Sequence, residues 1–211
     1  PRLPRTAFLE ARTLVAVQLS PAGDHVAYLR EQKDSRSLWL MPTGAGKEGG
    51  TPRTLVGSTQ ADQLMWSRDG RWVFLRGSRA LTIVGVDGRS GVRVPLGGIE
   101  RRRVMKLDPS QPAAVLLRER VRVGKGERWR IVRMDVHGKR TLLREDARWI
   151  HDVALDAAGR IVALARFEGD DDALYRLRQD GRLREVLRLR PMERIELLAA
   201  LPDRSLLMEG N

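Results

Sequence analysis

The stretch Leu19–Tyr28 reads LSPAGDHVAY, in which a Ser-Pro-x-Gly turn separates two short apolar runs. The same order returns at Trp66–Phe74 (WSRDGRWVF), in degenerate form at Lys106–Leu117 and at Leu155–Leu164 (LDAAGRIVAL), and it begins again at Leu201–Met208. The residues that anchor these turns are spaced by 47, 41, 48 and 46 positions, and they are Ser20, Ser67, Asp108, Asp156 and Pro202. An internal repeat of this length is typical of β-propellers.

Each copy of the repeat predicts a strand, a tight turn and a second strand. The Ser or Asp that opens the turn is expected to bond the backbone two residues on, while Pro presets φ and Gly takes a positive φ. We therefore expect a positive φ at Gly70. We also expect Trp66, which ends the first strand of its copy, to be buried between neighbouring units.

A second hairpin follows the first in every complete copy. Its first strand is predicted at Leu38–Met41, Leu81–Val84, Trp129–Val132 and Leu174–Leu177. A glycine-bearing turn comes next, and Asp-Gly between apolar runs, as at Asp87–Gly88 and Asp180–Gly181, is a strong hairpin signal. The closing strand is predicted at Arg53–Val56, Val92–Leu96, Arg140–Leu143 and Leu183–Leu187.

Four antiparallel strands per unit predict an all-β fold, a β-propeller built of four-stranded antiparallel blades. The predicted blades are residues 16–57, 61–97, 103–145 and 149–189, with a half blade at 193–210, so that about four and a half blades are present. A parallel βαβ fold is disfavoured because no helical pattern separates the strands. A β-sandwich and a closed four-bladed ring are the alternatives that the pattern leaves open.

The N-terminal residues 1–15 are predicted to form a leader that donates one closing strand, at Phe8–Ala11. One strand does not complete a half blade, so the chain is interpreted as the N-terminal part of a longer propeller. In that case strand edges and apolar faces at Leu197–Met208 are left unpaired. Such edges recruit other chains, so self-association of residues 1–211 is expected, with partial disorder after about residue 190 as the alternative.

The composition excludes several kinds of site. The chain has 211 residues, 42% of them hydrophobic, and no cysteine, which excludes disulfides, thiolate metal sites and a cysteine nucleophile. The net charge is +12, but 34 of the 39 basic residues are arginines scattered through every segment, so no nucleic-acid partner is expected. No run of 18 apolar residues is present, and no membrane span is predicted.

Two glycine-containing segments invite a catalytic interpretation and do not support it. Gly88–Gly91 reads GRSG, which lacks the G-x-S-x-G spacing of a nucleophile elbow and follows a hairpin turn. Gly44–Gly50 reads GAGKEGG, which lacks the Ser or Thr that follows Lys in a phosphate-binding loop. Both are interpreted as turn or loop sequences.

The remaining candidates for chemistry are histidines, carboxylates and tryptophans. His25, His137 and His151 lie in different copies without zinc-ligand spacing, and His151 is predicted to pair with Asp152 and tether a strand. The acidic run Glu168–Asp172 is interpreted as a solvated loop, with a Ca²⁺ site as the alternative. The five tryptophans are expected to pack between blades, and they are Trp39, Trp66, Trp72, Trp129 and Trp149. No catalytic, cofactor-binding or metal-binding residue and no cofactor is predicted in this chain.

The two best copies of the repeat, Leu19–Tyr28 and Trp66–Phe74, resemble the L-S-P-D-G and W-S-P-D-G repeats of two groups of bacterial propellers. These are Tol-type propellers and the N-terminal propellers of the prolyl oligopeptidase family of serine peptidases. The segment Leu38–Pro42 (LWLMP) also resembles a strand of those peptidases, which favours them. The sequence departs from them at Arg76–Arg79, where many carry a D-x-x-G-x-E-N loop, and it has no adjacent Glu-Glu pair of the kind that grips the substrate amine in dipeptidyl peptidases.

The resemblance to the peptidases implies a propeller that covers a C-terminal α/β-hydrolase domain, admits peptides and excludes folded proteins. The catalytic Ser, Asp and His would then lie in that other domain, and its partners would be the hydrolase domain or the remaining blades and a peptide substrate. The resemblance to Tol-type propellers implies a module that binds a protein partner and catalyses nothing. Either resemblance implies a periplasmic or secreted location, with a cytoplasmic location as the alternative.

Overall fold

The computed structural model describes residues 14–44, 50–97, 101–169, 171–190, 193, 195–203 and 205–210. In these residues the chain forms eighteen strands and no helix. The predicted leader 1–15 lies outside the described residues except for Leu14 and Val15, which open the first strand, and the predicted closing strand Phe8–Ala11 lies wholly outside them.

The described strands form four antiparallel sheets of four strands each and one sheet of two strands, each in chain order. Blade 1 consists of β1 (Leu14–Leu19), β2 (His25–Glu31), β3 (Arg36–Pro42) and β4 (Arg53–Thr59). Blade 2 consists of β5 (Gln63–Trp66), β6 (Trp72–Arg76), β7 (Ala80–Gly85) and β8 (Ser90–Pro95). The prediction of an all-β propeller with four-stranded blades is confirmed.

The later sheets follow the same plan. Blade 3 consists of β9 (Arg102–Leu107), β10 (Ala114–Val123), β11 (Gly126–Asp135) and β12 (Arg140–Asp146). Blade 4 consists of β13 (Ile150–Leu155), β14 (Ile161–Glu168), β15 (Asp171–Leu177) and β16 (Leu183–Arg188). The half blade consists of β17 (Ile195–Ala200) and β18 (Leu206–Gly210).

The chain divides into two compact units. The first is Pro1–Ile99 with Val136–Gly138, and it contains blades 1 and 2. The second is Glu100–Asp135 with Lys139–Asn211, and it contains blade 4, the half blade and nearly all of blade 3.

The core of the first unit is a set of apolar side chains shared by blades 1 and 2. Leu38 and Leu40 of β3 belong to the same buried cluster as Leu64 of β5 and Leu75 of β6. Trp66 belongs to this cluster and is 5% exposed, so its predicted burial between blades is confirmed. Alternation along each strand places these side chains on the sheet faces that meet.

Two clusters hold the second unit together. Leu116 and Ile131 of blade 3 share one cluster with Ile150 of blade 4. A second cluster joins Leu174 of blade 4 to Leu197 of the half blade. Within each unit, neighbouring sheets therefore bury apolar residues against each other, and repeated hairpins gain stability when they stack in this way.

The anchored turns form as predicted in backbone conformation. Gly70 N donates to Ser67 O at 3.0 Å, and Gly70 has φ 69°, which confirms the expected positive φ. The role predicted for the opening serine is wrong, because Ser67 Oγ accepts from Trp72 N at 2.9 Å, five residues on. Its hydroxyl reaches across the turn to the first residue of the next strand.

Among the other anchors, Ser20 and Asp108 show one pattern each, whereas Asp156 Oδ1 accepts from Arg160 N at 2.9 Å, four residues on. Ser20 Oγ accepts from His25 N at 3.0 Å, again five residues on. Asp108 follows the prediction, since its Oδ1 accepts from Ser110 N at 2.7 Å. The carboxylate of Asp108 accepts a hydrogen bond from within its own turn. The shorter hydroxyls of Ser20 and Ser67 accept one from the first residue of the next strand.

Candidate functional site

Blade 1 brings a serine, a carboxylate and a histidine together, which is the composition of a catalytic triad. Ser20 Oγ donates to Asp24 Oδ1 at 2.6 Å, and His25 Nδ1 lies 3.1 Å from the same oxygen. The hydroxyl of Ser20, followed by His25, lowers the pKa of Asp24. In a triad the histidine stands between the serine and the carboxylate and takes the hydroxyl proton. Here the carboxylate stands between them, so this group stabilises a turn.

The glycine-containing segments also behave as turns in the part that the structure describes. Gly88 has φ 86°, and its N donates to Gly85 O at 3.0 Å. Asp87 Oδ1 accepts from Arg89 N at 3.0 Å and closes the loop that leads into β8. In the loop Gly44–Gly50, residues 45–49 lie outside the described residues.

The predicted pairing of His151 with Asp152 is wrong. His151 Nδ1 lies 3.1 Å from Asp172 Oδ1, and its Nε2 lies 3.1 Å from Ile195 O. Asp152 Oδ1 instead pairs with Lys106 Nζ at 2.7 Å. Two adjacent side chains leave the strand in different directions, and each finds a partner on another strand.

The acidic run at the tip of blade 4 is engaged by arginines and by His151. Glu168 Oε1 accepts from Arg166 Nε at 2.7 Å and from Tyr175 Oη at 2.9 Å, and Glu168 also pairs with Arg148. Asp172 faces His151, and Asp170 lies outside the described residues. No group of three or more His, Cys, Asp or Glu side chains suited to a metal occurs in the described part of the chain.

The second unit contains a cavity of about 770 Å³ where blades 3 and 4 meet the half blade. Its wall has three kinds of side chain. The apolar side chains are Met105, Trp149, Phe167 and Ile195. The cations are Arg103, Lys106 and Arg118. The remaining side chains are His151 and the carboxylates Asp152, Asp172, Glu196 and Glu209. A concave site with an apolar wall and a few charged groups is the usual form of a ligand pocket.

One ion pair of this cavity ties the half blade to blades 3 and 4. Lys106 Nζ on β9 pairs with Asp152 on β13 and also donates to Leu197 O on β17 at 2.5 Å. The second oxygen of Asp152 accepts from Leu197 N at 2.6 Å. Both charges are thus satisfied within the protein, and their role is to hold three strands together.

Aromatic rings form the apolar wall. Trp149 and Phe167 stack with centroids 4.7 Å apart and an interplanar angle of 5°. Trp129 of blade 3 lies 6.2 Å from Trp149, and the guanidinium of Arg118 lies 4.6 Å above the Trp149 ring. Trp129 and Trp149 therefore pack against each other, as expected for tryptophans between blades, and Trp149 and Phe167 line the cavity.

Arg118 differs from the other cations of the cavity because it is the one that is buried, whereas Arg103 is exposed and Lys106 is half-buried. Arg118 is 6% exposed, and its Nη1 donates to Ile150 O at 3.1 Å. In the described part of the chain no carboxylate pairs with it, and its direct cross-strand partner is Arg103. Burial, together with repulsion from Arg103, lowers the pKa of Arg118 to about 10.

The sequence analysis did not identify Arg118 as a functional residue. A signal was present, because Arg118 follows the apolar run Ala114–Leu117 inside a predicted core strand. A charged residue in such a run is buried, and a buried charge requires a partner. Which side chains would surround it depends on how blades 3 and 4 meet, and the repeat does not specify that.

The fold and the cavity define a class of protein, the β-propeller. The propeller domain of the trilobed protease from Pyrococcus furiosus, which is described as having an open velcro topology, aligns with 82% of this chain at 13% identity and a TM-score of 0.57. Acylaminoacyl peptidase from Pyrococcus horikoshii aligns with 82% of the chain at 12% identity and a TM-score of 0.56. These similarities show the fold.

A TolB-type protein from Agrobacterium tumefaciens aligns with 81% of this chain at 19% identity and a TM-score of 0.47. This chain spans 64% of that protein, 58% of the trilobed-protease domain and 32% of the acylaminoacyl peptidase. No protein-family model and no curated protein matches the sequence. No helix in the described residues is long and apolar enough to cross a membrane.

Proposed function

We propose that this chain is the non-catalytic propeller portion of a prolyl oligopeptidase-like serine hydrolase, which controls the access of peptides to an α/β-hydrolase domain. The observation that carries the proposal is the fold similarity to two peptidases, at TM-scores of 0.57 and 0.56 over 82% of the chain. The repeat sequences Leu19–Tyr28 and Trp66–Phe74 resemble those of this family as well as those of Tol-type propellers, and the segment Leu38–Pro42 favours the peptidases.

The chemistry of the described residues supports a binding role in this arrangement. A serine hydrolase needs a nucleophile, a base within hydrogen-bond reach and an oxyanion hole. The serine and histidine that come closest, Ser20 and His25, are arranged around Asp24 in the wrong order for proton transfer. Under the proposal the hydrolase domain supplies the nucleophile, and the propeller determines which peptides reach it. The proposal includes the periplasmic or secreted location that the resemblance implies.

A fluorophosphonate probe, which labels activated serines, tests this function. The complete product of the gene that encodes this chain and residues 1–211 alone are each treated with the probe, and labelled peptides are located by mass spectrometry. We expect labelling of the complete product at a serine beyond residue 211 and none in residues 1–211. A complete product that ends at Asn211, or that remains unlabelled, contradicts the proposal and favours a propeller that only binds a protein partner.

Folded and unfolded substrates test whether the propeller controls access to the hydrolase domain. The complete product should cleave short peptides and leave the same sequence uncut when it is placed inside a folded protein, while cleaving that protein after it is unfolded. Equal cleavage of the folded and the short substrate contradicts a gating role, because a propeller that filters by size must discriminate between them.

A further inference from the structure

The guanidinium of Arg118 lies over the rings of Trp129 and Trp149, but no carboxylate pairs with its charge in the described part of the chain, and neither the fold nor the proposed function explains that charge. The cost of burying a guanidinium is offset in proteins by a carboxylate or a phosphate, and an unpaired buried charge is strongly unfavourable. Arg118 is 6% exposed and lies opposite a second cation, Arg103, on the adjacent strand. Like charges placed directly opposite each other in a sheet destabilise it further.

The arrangement becomes favourable when an anion enters the cavity. Arg118 makes one hydrogen bond to protein, to Ile150 O, so its remaining N–H groups are available to a ligand. Arg103 is exposed on the same face and lines the same cavity. Two guanidinium groups on one face offer the paired, planar donors that carboxylates accept in a bidentate manner.

The other walls of the cavity limit what that anion is. The Trp149–Phe167 stack and Met105 offer an apolar surface beside the arginines. Glu196 and Glu209, which are cross-strand partners on β17 and β18, also line the cavity. These carboxylates repel a phosphate dianion more than a single negative charge, so a singly charged group is favoured.

We propose that the cavity of the second unit binds a carboxylate attached to an apolar or aromatic group, with Arg118 and Arg103 holding the carboxylate and Trp149 and Phe167 contacting the apolar part. The C-terminal residue of a peptide with an apolar last side chain has this chemistry. The inference rests on the side chains of the cavity alone. It holds whether the propeller serves a hydrolase or a protein partner.

Isothermal titration calorimetry of residues 1–211 with two matched probes tests the site without any substitution. N-acetylphenylalanine carries the carboxylate and the ring, and N-acetylphenylalanine amide carries the ring without the charge. We expect N-acetylphenylalanine to bind at least about tenfold more tightly than the amide, because charge-assisted hydrogen bonds are stronger than neutral ones. Equal binding of the two probes, or no binding of N-acetylphenylalanine, overturns the proposal.

Inorganic phosphate separates a carboxylate site from a general anion site. Phosphate should bind more weakly than N-acetylphenylalanine. At equal concentration it should not displace N-acetylphenylalanine from the cavity. If phosphate binds as tightly as N-acetylphenylalanine, the carboxylate assignment is wrong.

Two substitutions locate the site at Arg118. Arg118→Met replaces the charge by an apolar chain of similar length, and it should weaken N-acetylphenylalanine binding at least about tenfold while the thermal midpoint stays the same or rises, since the uncompensated buried charge is gone. Arg122→Met, on the exposed end of the same strand, is the control and should change neither quantity. If Arg118→Met retains wild-type affinity, Arg118 is not the site. If Arg118→Met does not fold, Arg118→Gln takes its place with the same expected loss of affinity.

Discussion

The indole Nε1 of Trp66 in blade 2 donates a hydrogen bond to the main-chain oxygen of Gln18 in blade 1 over 3.2 Å. The two residues are 48 positions apart in sequence, which is one repeat. The same side chain therefore supplies both apolar contact and a polar link between neighbouring blades.

Replacing Trp66 tests this link. Trp66→Ala should lower the free energy of unfolding by about 3–5 kcal/mol, because it removes a large buried aromatic side chain. Trp66→Phe keeps most of the apolar contact but loses the hydrogen bond, so its loss should be clearly smaller. Chemical denaturation with urea measures both, and an unchanged midpoint for Trp66→Ala contradicts the assignment of blades 1 and 2.

The turn that follows Trp66 depends on a backbone conformation that favours glycine. Gly70 has φ +69°, and a Cβ added there would meet only the ring of Pro21 at 3.8 Å, so crowding is absent. Gly70→Val should still cost about 1–2 kcal/mol or more through backbone strain. Gly57→Ala, in a strand with open space around it, is the control and should leave the urea midpoint unchanged or slightly raised. A tolerated Gly70→Val contradicts the turn.

Blade 3 anchors its turn with a buried ion pair. Asp108 is fully buried, and Arg133 Nε donates to its Oδ2 at 2.5 Å while Ser110 Oγ donates to Oδ1 at 2.6 Å. Burial alone raises the pKa of Asp108, but the bonds from Ser110 and Arg133 outweigh it and hold that pKa below its ordinary value of 3.8. The stabilisation from this carboxylate is therefore complete above its ordinary pKa and is lost as pH falls through the lowered one.

The substitution Asp108→Asn tests this pH dependence of the stability. At pH 7 the substitution should destabilise the protein by about 3–5 kcal/mol, since it leaves Arg133 without its charged partner. The difference from wild type should shrink as pH falls below about 4, because the unfolded wild-type chain then gains a proton at this carboxyl, whose native pKa is lower. Asp62→Asn, at an exposed position, is the control and should leave the stability at pH 7 unchanged. A gap that stays constant between pH 7 and pH 2 contradicts the account.

The repeat predicted the strands of every blade because its signals are local. Apolar runs, a tight turn and a glycine with positive φ are properties of neighbouring residues, as Gly70 illustrates. The partners of charged residues are not local. His151 was predicted to pair with its neighbour Asp152, and it faces Asp172 on β15 instead. The surroundings of Arg118 depend in the same way on the packing of blade 4 against blade 3, which a sequence period does not encode.

Among the described strands the half blade has two members, so we expect an unpaired edge that recruits other chains when residues 1–211 are made alone. Among the described strands β18 pairs only with β17, and Leu207 and Met208 on it are 50% and 41% exposed. Residues 1–211 should therefore self-associate in size-exclusion chromatography with light scattering, and Leu207→Lys should shift the distribution toward monomer. Leu142→Lys, at a similarly exposed position on β12, is the control and should leave the association unchanged. A sharp wild-type monomer contradicts an open edge at β18.

The claim that the buried charge of Arg118 makes the cavity a carboxylate site is tested most directly at the guanidinium itself. The side-chain Nε–H resonance of Arg118, identified by its disappearance in Arg118→Met, is followed by ¹H–¹⁵N NMR during titration with N-acetylphenylalanine and then with its amide. The account predicts that this resonance shifts with the carboxylate and not with the amide, while the resonance of Arg122 stays in place. A resonance of Arg118 that does not move on saturation with N-acetylphenylalanine, or that moves equally with the amide, contradicts it.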